Sequence, residues 1–453
     1  MSTTIIVGAG IVGSALAHFL SSSSSKPKGK IILIDHSFKP LQGSTAHAPG
    51  YIGQFNESAT LTRLAIDTVI EYAKIPNGFN VLGGIEAVGT EEGLSRLQVR
   101  GLPASMITAT QAAGLAPDFV RKEALKGALY FATDGVANAT VITEFYQHEA
   151  RKKGVEFVEG VVTRIKYNED GDVVGVEVDV DDNEQDEDES DKRKVKRFIA
   201  SDTLILATGI WTQDLCSDLD IPIPIIPVAH PYMYIKHDRL QNDDDAASGN
   251  TTTTTTTTSP SSPKSSTKSH LSPRLHNKPS PWIRYPEHHV YARDHGPFYG
   301  VGTYNHGPAI QCQPTDHVAI GPWYEEIFSS ALEQAKALLP VLRICDNESV
   351  EYSMPETKFN GIFAMTPDNL PIAGKVDGRK GLVLCAAVWV THAAGVARFV
   401  AGLIERHNDD YGKGLDGDVV RHLDPARFRG RDFEELRELS LRGYSQIYCT
   451  GEN

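Results

Sequence analysis

The run Gly43-Ser44-Thr45-Ala46-His47-Ala48-Pro49-Gly50 holds the residue best placed to do chemistry. A neutral imidazole is a competent nucleophile and hydrogen-bond partner near pH 7. His47 follows shortly after Ile5-Ile6-Val7-Gly8-Ala9-Gly10-Ile11-Val12-Gly13, which has the spacing of a dinucleotide-binding turn. A histidine beside a dinucleotide raises a specific expectation, a flavin tied covalently to His47. The plainer alternative is that His47 only hydrogen-bonds the flavin or its phosphates.

The elements that must position this histidine are legible on either side of the glycines. Thr3 to Val7 is a short apolar, β-branched run, as a buried parallel strand would be, and Ser14 to Leu20 reads as a helix. Gly8 permits the tight turn, Gly10 lets the backbone approach a pyrophosphate, and Gly13 allows helix and strand to pack closely. The helix N-terminus offers free N–H groups to phosphate. A second apolar run, Lys30 to Ile34, ends in Asp35, the expected partner of the adenosine ribose. Asp35 comes later than the usual ~20 residues after the glycines, and the polar stretch Ser21 to Lys30 lengthens the loop between. An acid at that place favours a free 2′-hydroxyl, hence FAD or NAD rather than NADP. Gly8, Gly10, Ile11, Val12, Gly13, Asp35 and His36 are therefore expected to contact the cofactor.

With 453 residues the chain can bury a large core and is expected to form two interleaved domains. The net charge of −14 argues against nucleic acid or an anionic membrane as partner. Much of that charge sits in Asp179 to Asp191, so it says little about a site; the basic run Lys192 to Arg197 behind it reads as a solvated hairpin tip rather than a targeting signal. The five cysteines are scattered and form no CxxC, which fits a reducing compartment without disulfide or zinc. No apolar run reaches membrane-spanning length, the first strand begins almost at Met1, and the last residues are not a peroxisomal signal. A cytoplasmic protein is expected.

Leu240 to Ser280 is low-complexity, with Thr251 to Thr258 in one run, and reads as a disordered insertion between Ala229–Ile235 and Pro281–Tyr285, two strands of one sheet. Elsewhere the pattern is mixed α/β. Thr140 to Lys152 reads as a helix, and Val155–Val158, Val161–Ile165 and Val173–Val180 read as strands. Thr203 to Ala207 is a buried strand running into Thr208-Gly209, where backbone can pass close to a dinucleotide. Near the end, Val388-Trp389-Val390-Thr391-His392 leads into a helix up to Glu405 and offers a further helix N-terminus to a polar group of the cofactor.

Four blocks carry a family likeness: Gly43 to Gly50; Pro227-Val228-Ala229-His230; Tyr291-Ala292-Arg293-Asp294-His295-Gly296 with Tyr299-Gly300-Val301-Gly302; and Phe359 to Phe363 through Thr366-Pro367-Asp368 to His392. In these the chain resembles the glycine-oxidase-like flavoprotein amine oxidases, among them dimethylglycine oxidase and the sarcosine and dimethylglycine dehydrogenases. The resemblance implies a Rossmann-type FAD-binding domain (1–83, 127–218 and 354–405) with an inserted α+β mixed-sheet substrate domain (84–126 and 219–353) and a C-terminal tail (406–453). It implies FAD carried by His47 and contacted also by Ser44, Thr45, Ala46, Tyr51, Val162, Ala207, Gly209, Tyr291, Val388, Trp389, Val390 and Thr391. His230 and Tyr291 fall on the pair that lines the substrate pocket and relays a proton, a role their chemistry suits. Arg284 and Arg293 are candidates to pair with a substrate carboxylate. His288, His289, His295 and His306 show no metal-ligand spacing, and no metal is expected.

The larger relatives continue into a folate-binding half, and this chain stops near Tyr448, where that half would begin. The expectation is thus oxidation of the C–N bond of a small N-methylated amino acid, with O₂ or another acceptor taking the electrons. Without folate coupling, the imine would hydrolyse to amine and aldehyde. The alternatives are a flavoenzyme of the same fold acting on another amine or a hydroxy acid, and a flavin-binding protein without activity.

Overall fold

The strand Thr3–Val7 sends alternate side chains into two cores, and this alternation organises the cofactor half of the molecule. Ile6 joins Leu33, Ile205 and Val383 beneath a layer of helices, while Ile5 and Val7 join Ile32, Ile34, Leu204 and Leu206 on the opposite face. The six-stranded sheet runs in the order Ile372–Lys375, Leu382–Ala386, Thr203–Leu206, Thr3–Val7, Lys30–Asp35, Glu156–Glu159. Its pairs are parallel except the first. Helices Ile11–Ser22, Ala139–Lys152 and Ala393–Glu405 cover one face, and the antiparallel strands Val161–Tyr167, Val173–Asp181 and Lys194–Ala200 cover the other. The α/β expectation holds. The computed structural model describes residues 2–22, 29–55, 58–99, 103–181, 194–236, 279–296, 298–306, 311–312, 317–344, 358–405 and 416–447. Most of the acidic run, the Thr-rich stretch and the first two residues of the basic run, Lys192 and Arg193, lie outside these.

A second, nine-stranded sheet stands beside the first, with Ile226–Lys236, Phe298–Thr303, Val290–Asp294 and Trp282–Tyr285 adjacent at its centre. The two strands flanking the Thr-rich stretch do share this sheet. Two segments expected in the cofactor domain belong here instead. Gly127–Phe131 pairs with Gly84–Val88, and Lys358–Met365 pairs with Ile226–Lys236. Continuous hydrogen-bonded ladders, which the sequence does not display, decide that membership.

The region expected to be a tail contains two helices, Gly417–Leu423 and Phe433–Ser445. Asp432 caps the second by accepting the Glu435 N–H at 3.0 Å, a contact worth about 1 kcal/mol. Glu434 and Glu435 in its first turn complement the helix dipole. Leu436, Ser440 and Tyr444 recur at every fourth position and are all buried, so one face of this helix docks on the body of the protein. Among the described residues no helix is long and apolar enough to cross a membrane.

Candidate active site

The glycine turn is a cradle of backbone atoms. Gly8 has φ +98°, and a Cβ there would lie 2.4 Å from the Ala207 carbonyl oxygen. A Cβ on Gly13 would lie 1.8 Å from the Gly8 oxygen, so Gly13 serves packing and does not line the cavity. The Asp35 carboxylate accepts the N–H of Ala9 at 2.5 Å and of Ser37 at 3.0 Å. Burial nonetheless raises its pKa, with those hydrogen bonds opposing. Thr45 Oγ1 accepts the Ile11 N–H at 3.1 Å, and Ser44 Oγ donates to the Ile362 carbonyl at 2.6 Å. These two hydroxyls pin a short 3₁₀ turn, Ser44–His47, between the cradle and the nine-stranded sheet.

That turn projects His47 into a cavity of about 570 Å³. Nε2 of His47 is buried without a hydrogen-bond partner among the described residues, and burial lowers the pKa, which keeps the ring neutral. Gly361 lies beside the His47 Cβ, where a Cβ on Gly361 would meet it at 3.7 Å, an ordinary van der Waals contact. Gly8, Gly10, Ile11, Val12, Asp35, His36, Tyr51, Val162, Ala207, Gly209 and the loop Val388–Thr391, residues expected to contact the cofactor, all line the same cavity. Ala46, expected among them, does not. It occupies the interior of the turn, and its N–H is used by the Gly43 carbonyl at 3.0 Å. His317, stacked on His36 with ring centres 4.9 Å apart, closes the Asp35 end of the cavity and was not expected from the sequence.

At the far end stand His230 and Tyr291, with Tyr51, Tyr304, Phe363 and Trp389 around them. His230 Nε2 and the Tyr291 hydroxyl are 2.6 Å apart, and both side chains are buried. A glycine strand makes this approach feasible. Tyr291 and Tyr232 both pair with Gly302 from opposite sides, and a Cβ on Gly302 would lie 2.2 Å from the Tyr291 ring. The missing side chain lets the ring lie across the intervening strand to reach His230. Burial, and after it the nearby His306, lowers the His230 pKa to about 3. Burial raises that of Tyr291. Both groups are therefore neutral at pH 7, and His230 is a poor place to store an ammonium proton, contrary to its expected role as acceptor.

Neither arginine expected to clasp a carboxylate lines the cavity. Arg284 is ion-paired to the buried Glu86 through both Nη2 and Nε. Arg293 donates to the carbonyls of Pro49 and Ala137 and thereby braces the loop beyond His47. Tyr444 and His306, which sequence reading missed, extend the polar contacts of His230 on the side away from the cavity. No local motif marks them.

The cradle, the ribose-side carboxylate and the isolated Nε2 of His47 are a set of groups suited to FAD. Residues 3–403 match the model of the FAD dependent oxidoreductase family, DAO. The chain belongs to that family. Human mitochondrial dimethylglycine dehydrogenase is 22% identical over 452 residues, covering 94% of this chain and 44% of its own length. The 4-methylaminobutanoate oxidase (formaldehyde-forming) of Paenarthrobacter nicotinovorans is 22% identical over 240 residues, 50% of this chain and 27% of that protein. This DAO chain thus spans less than half the length of either relative. In fold it is similar to the crystal structure of L-proline dehydrogenase from P. horikoshii, with TM-score 0.69 and 18% identity over 94% of this chain and 97% of that one.

Proposed function

We propose that this DAO-family protein oxidises the C–N bond of a small N-methylated amine of the dimethylglycine or sarcosine kind. The observation that carries this reading is the buried His230–Tyr291 pair at 2.6 Å, facing the same cavity as His47. FAD, when bound, supplies the two-electron oxidation. The protein's part is to hold the amine and keep water away. Tyr51, Tyr291, Tyr304, Phe363 and Trp389 give the reacting end aromatic walls, which favour methyl groups over water. With His230 held neutral, the amine is handled as its free base, oriented by the Tyr291 hydroxyl. The imine product hydrolyses to amine and aldehyde.

FAD is held by the Gly8–Gly13 cradle, Asp35 and the Val388–Thr391 loop, and is tethered through His47. The neutral, buried Nε2 supports the tether, because no described residue hydrogen-bonds to it. The relatives named above act, by their names, on N-methylated amino acids, which supports the substrate class.

Anaerobic mixing of the yellow protein with sarcosine, dimethylglycine and 4-methylaminobutanoate tests this reading. Bleaching of the flavin with at least one of them, and release of formaldehyde in air, is expected. Tyr291→Phe should slow bleaching by roughly 10²-fold or more while flavin stays bound. Bleaching only by unmethylated amines or hydroxy acids would overturn the substrate class. Acid precipitation tests the tether: colour should stay with the polypeptide and be released from His47→Ala.

A further inference from the structure

The C-terminal helix reaches the active site through one hydroxyl. Tyr444 Oη lies 3.0 Å from His230 Nδ1 and 2.7 Å from His306 Nε2, while His230 Nε2 lies 2.6 Å from Tyr291 Oη. All four side chains are more than nine-tenths buried. Burial holds His306 neutral as well, with its pKa lowered to about 4. Each phenol then carries one proton and each imidazole one. If each link of the file is filled and no O–H inside it is left over, all four donate in the same direction. The mixed arrangement, with both imidazoles donating to the Tyr444 oxygen, would leave the Tyr444 O–H buried without an acceptor among the described residues.

The end of the file selects the direction. His306 Nδ1 is buried and has no hydrogen-bond partner among the described residues. If the file points from His306 toward Tyr291, that nitrogen is a bare lone pair. If it points the other way, it is a buried N–H with no acceptor. Orphaned buried N–H groups are the rarer and more costly of the two.

We propose that Tyr444 is a positioning residue: it donates to His230 Nδ1, holds His230 in the Nε2–H tautomer, and so turns the Tyr291 hydroxyl proton toward the cavity. His306 stands behind it, donating from Nε2 and fixing the direction of the Tyr444 hydroxyl. His230 then donates to the Tyr291 oxygen, and the Tyr291 proton is left for a ligand. A free amine has a lone pair to receive that proton and an ammonium ion has none, so the file selects the free base from solution. This last consequence rests on the function proposed above; the tautomer does not.

The test reads the tautomer directly. In flavin-loaded protein labelled with ¹⁵N-histidine, the His230 resonances, assigned by their loss in His230→Gln, should show Nε2 protonated and Nδ1 bare. Tyr444→Phe removes one oxygen and should give averaged shifts of mixed tautomers. His306→Leu should do the same, whereas His306→Gln, whose amide can still donate to Tyr444, should keep the wild-type pattern. In anaerobic flavin reduction, Tyr444→Phe should weaken apparent amine binding roughly tenfold, the scale of one lost hydrogen bond, with a smaller change in the limiting rate. Protonation of His230 on Nδ1 in the wild type overturns the proposal. So does an unchanged tautomer in both Tyr444→Phe and His306→Leu. A protein that no N-methylated amine reduces would sink the proposed function, yet its spectrum would still decide the role of Tyr444.

Discussion

At one end of the cavity the contacts are made by backbone: the turn at Gly8, the close passage of Ala207, and N–H groups gathered by Asp35 and Thr45. At the other end they are made by the side chains of His230 and Tyr291, backed on the far side by His306 and Tyr444, all drawn from separated stretches of chain. The first end has its shape set by where a Cβ cannot go. The second has its properties set by which atom holds a proton. A backbone site tolerates little change and performs one task, whereas a side-chain file can be retuned one atom at a time.

Substitution in the cradle should have the largest effect. Gly13→Ala places a Cβ 1.8 Å from the Gly8 oxygen, and backbone cannot yield there without opening the strand–helix turn. Loss of most bound flavin is expected, read from absorbance of the purified protein; a fully loaded Gly13→Ala protein would erase the contrast between the two ends. Gly302→Ala is the matched change at the other end. It should displace the Tyr291 ring, leave flavin bound, and slow anaerobic reduction by about 10²-fold. Loss of flavin with unaltered reduction in the remainder would show that the ends are not separable.

Acid gives the smallest and most graded effect. His230, His295, His306 and His392 have pKa values lowered by burial to between about 3 and about 4. The unfolded chain therefore binds protons first, below about pH 6.5, the ordinary histidine value. The stability these four contribute is complete above that pH and is lost progressively as pH falls toward their folded values. Asp35 at the cradle has the opposite sign, since its raised pKa makes its contribution largest in acid. Melting temperatures between pH 7.5 and 5 should fall, and His230→Gln should flatten the fall. An equal slope in wild type and variant would remove His230 from the account.

How much of each end was legible follows from the same difference. Gly8, Gly10, Gly13 and Asp35 lie within one strand–turn–helix–strand unit, so spacing alone reveals them. His47 and the Val388–Thr391 loop could be read because each sits in a compact block. His230 and Tyr291 needed a family likeness, since 61 residues separate them. Tyr444 lies 214 residues from His230 and 138 from His306, on a helix whose buried face looks like any docking face. Arg284 was misread because its ion-pair partner, Glu86, is 198 residues away. Gly300 and Gly302 offered a usable signal: two glycines in a strand without turn residues mark room for a neighbour's ring.

The Tyr444 contact also has a mechanical side. Leu436, Ser440 and Tyr444 form the buried face of the helix Phe433–Ser445, so any shift of that helix against the body of the protein moves the Tyr444 hydroxyl relative to His230 Nδ1 and His306 Nε2. Hydrogen bonds weaken steeply once their distance and angle are lost. The seating of this one helix is therefore felt at both histidines.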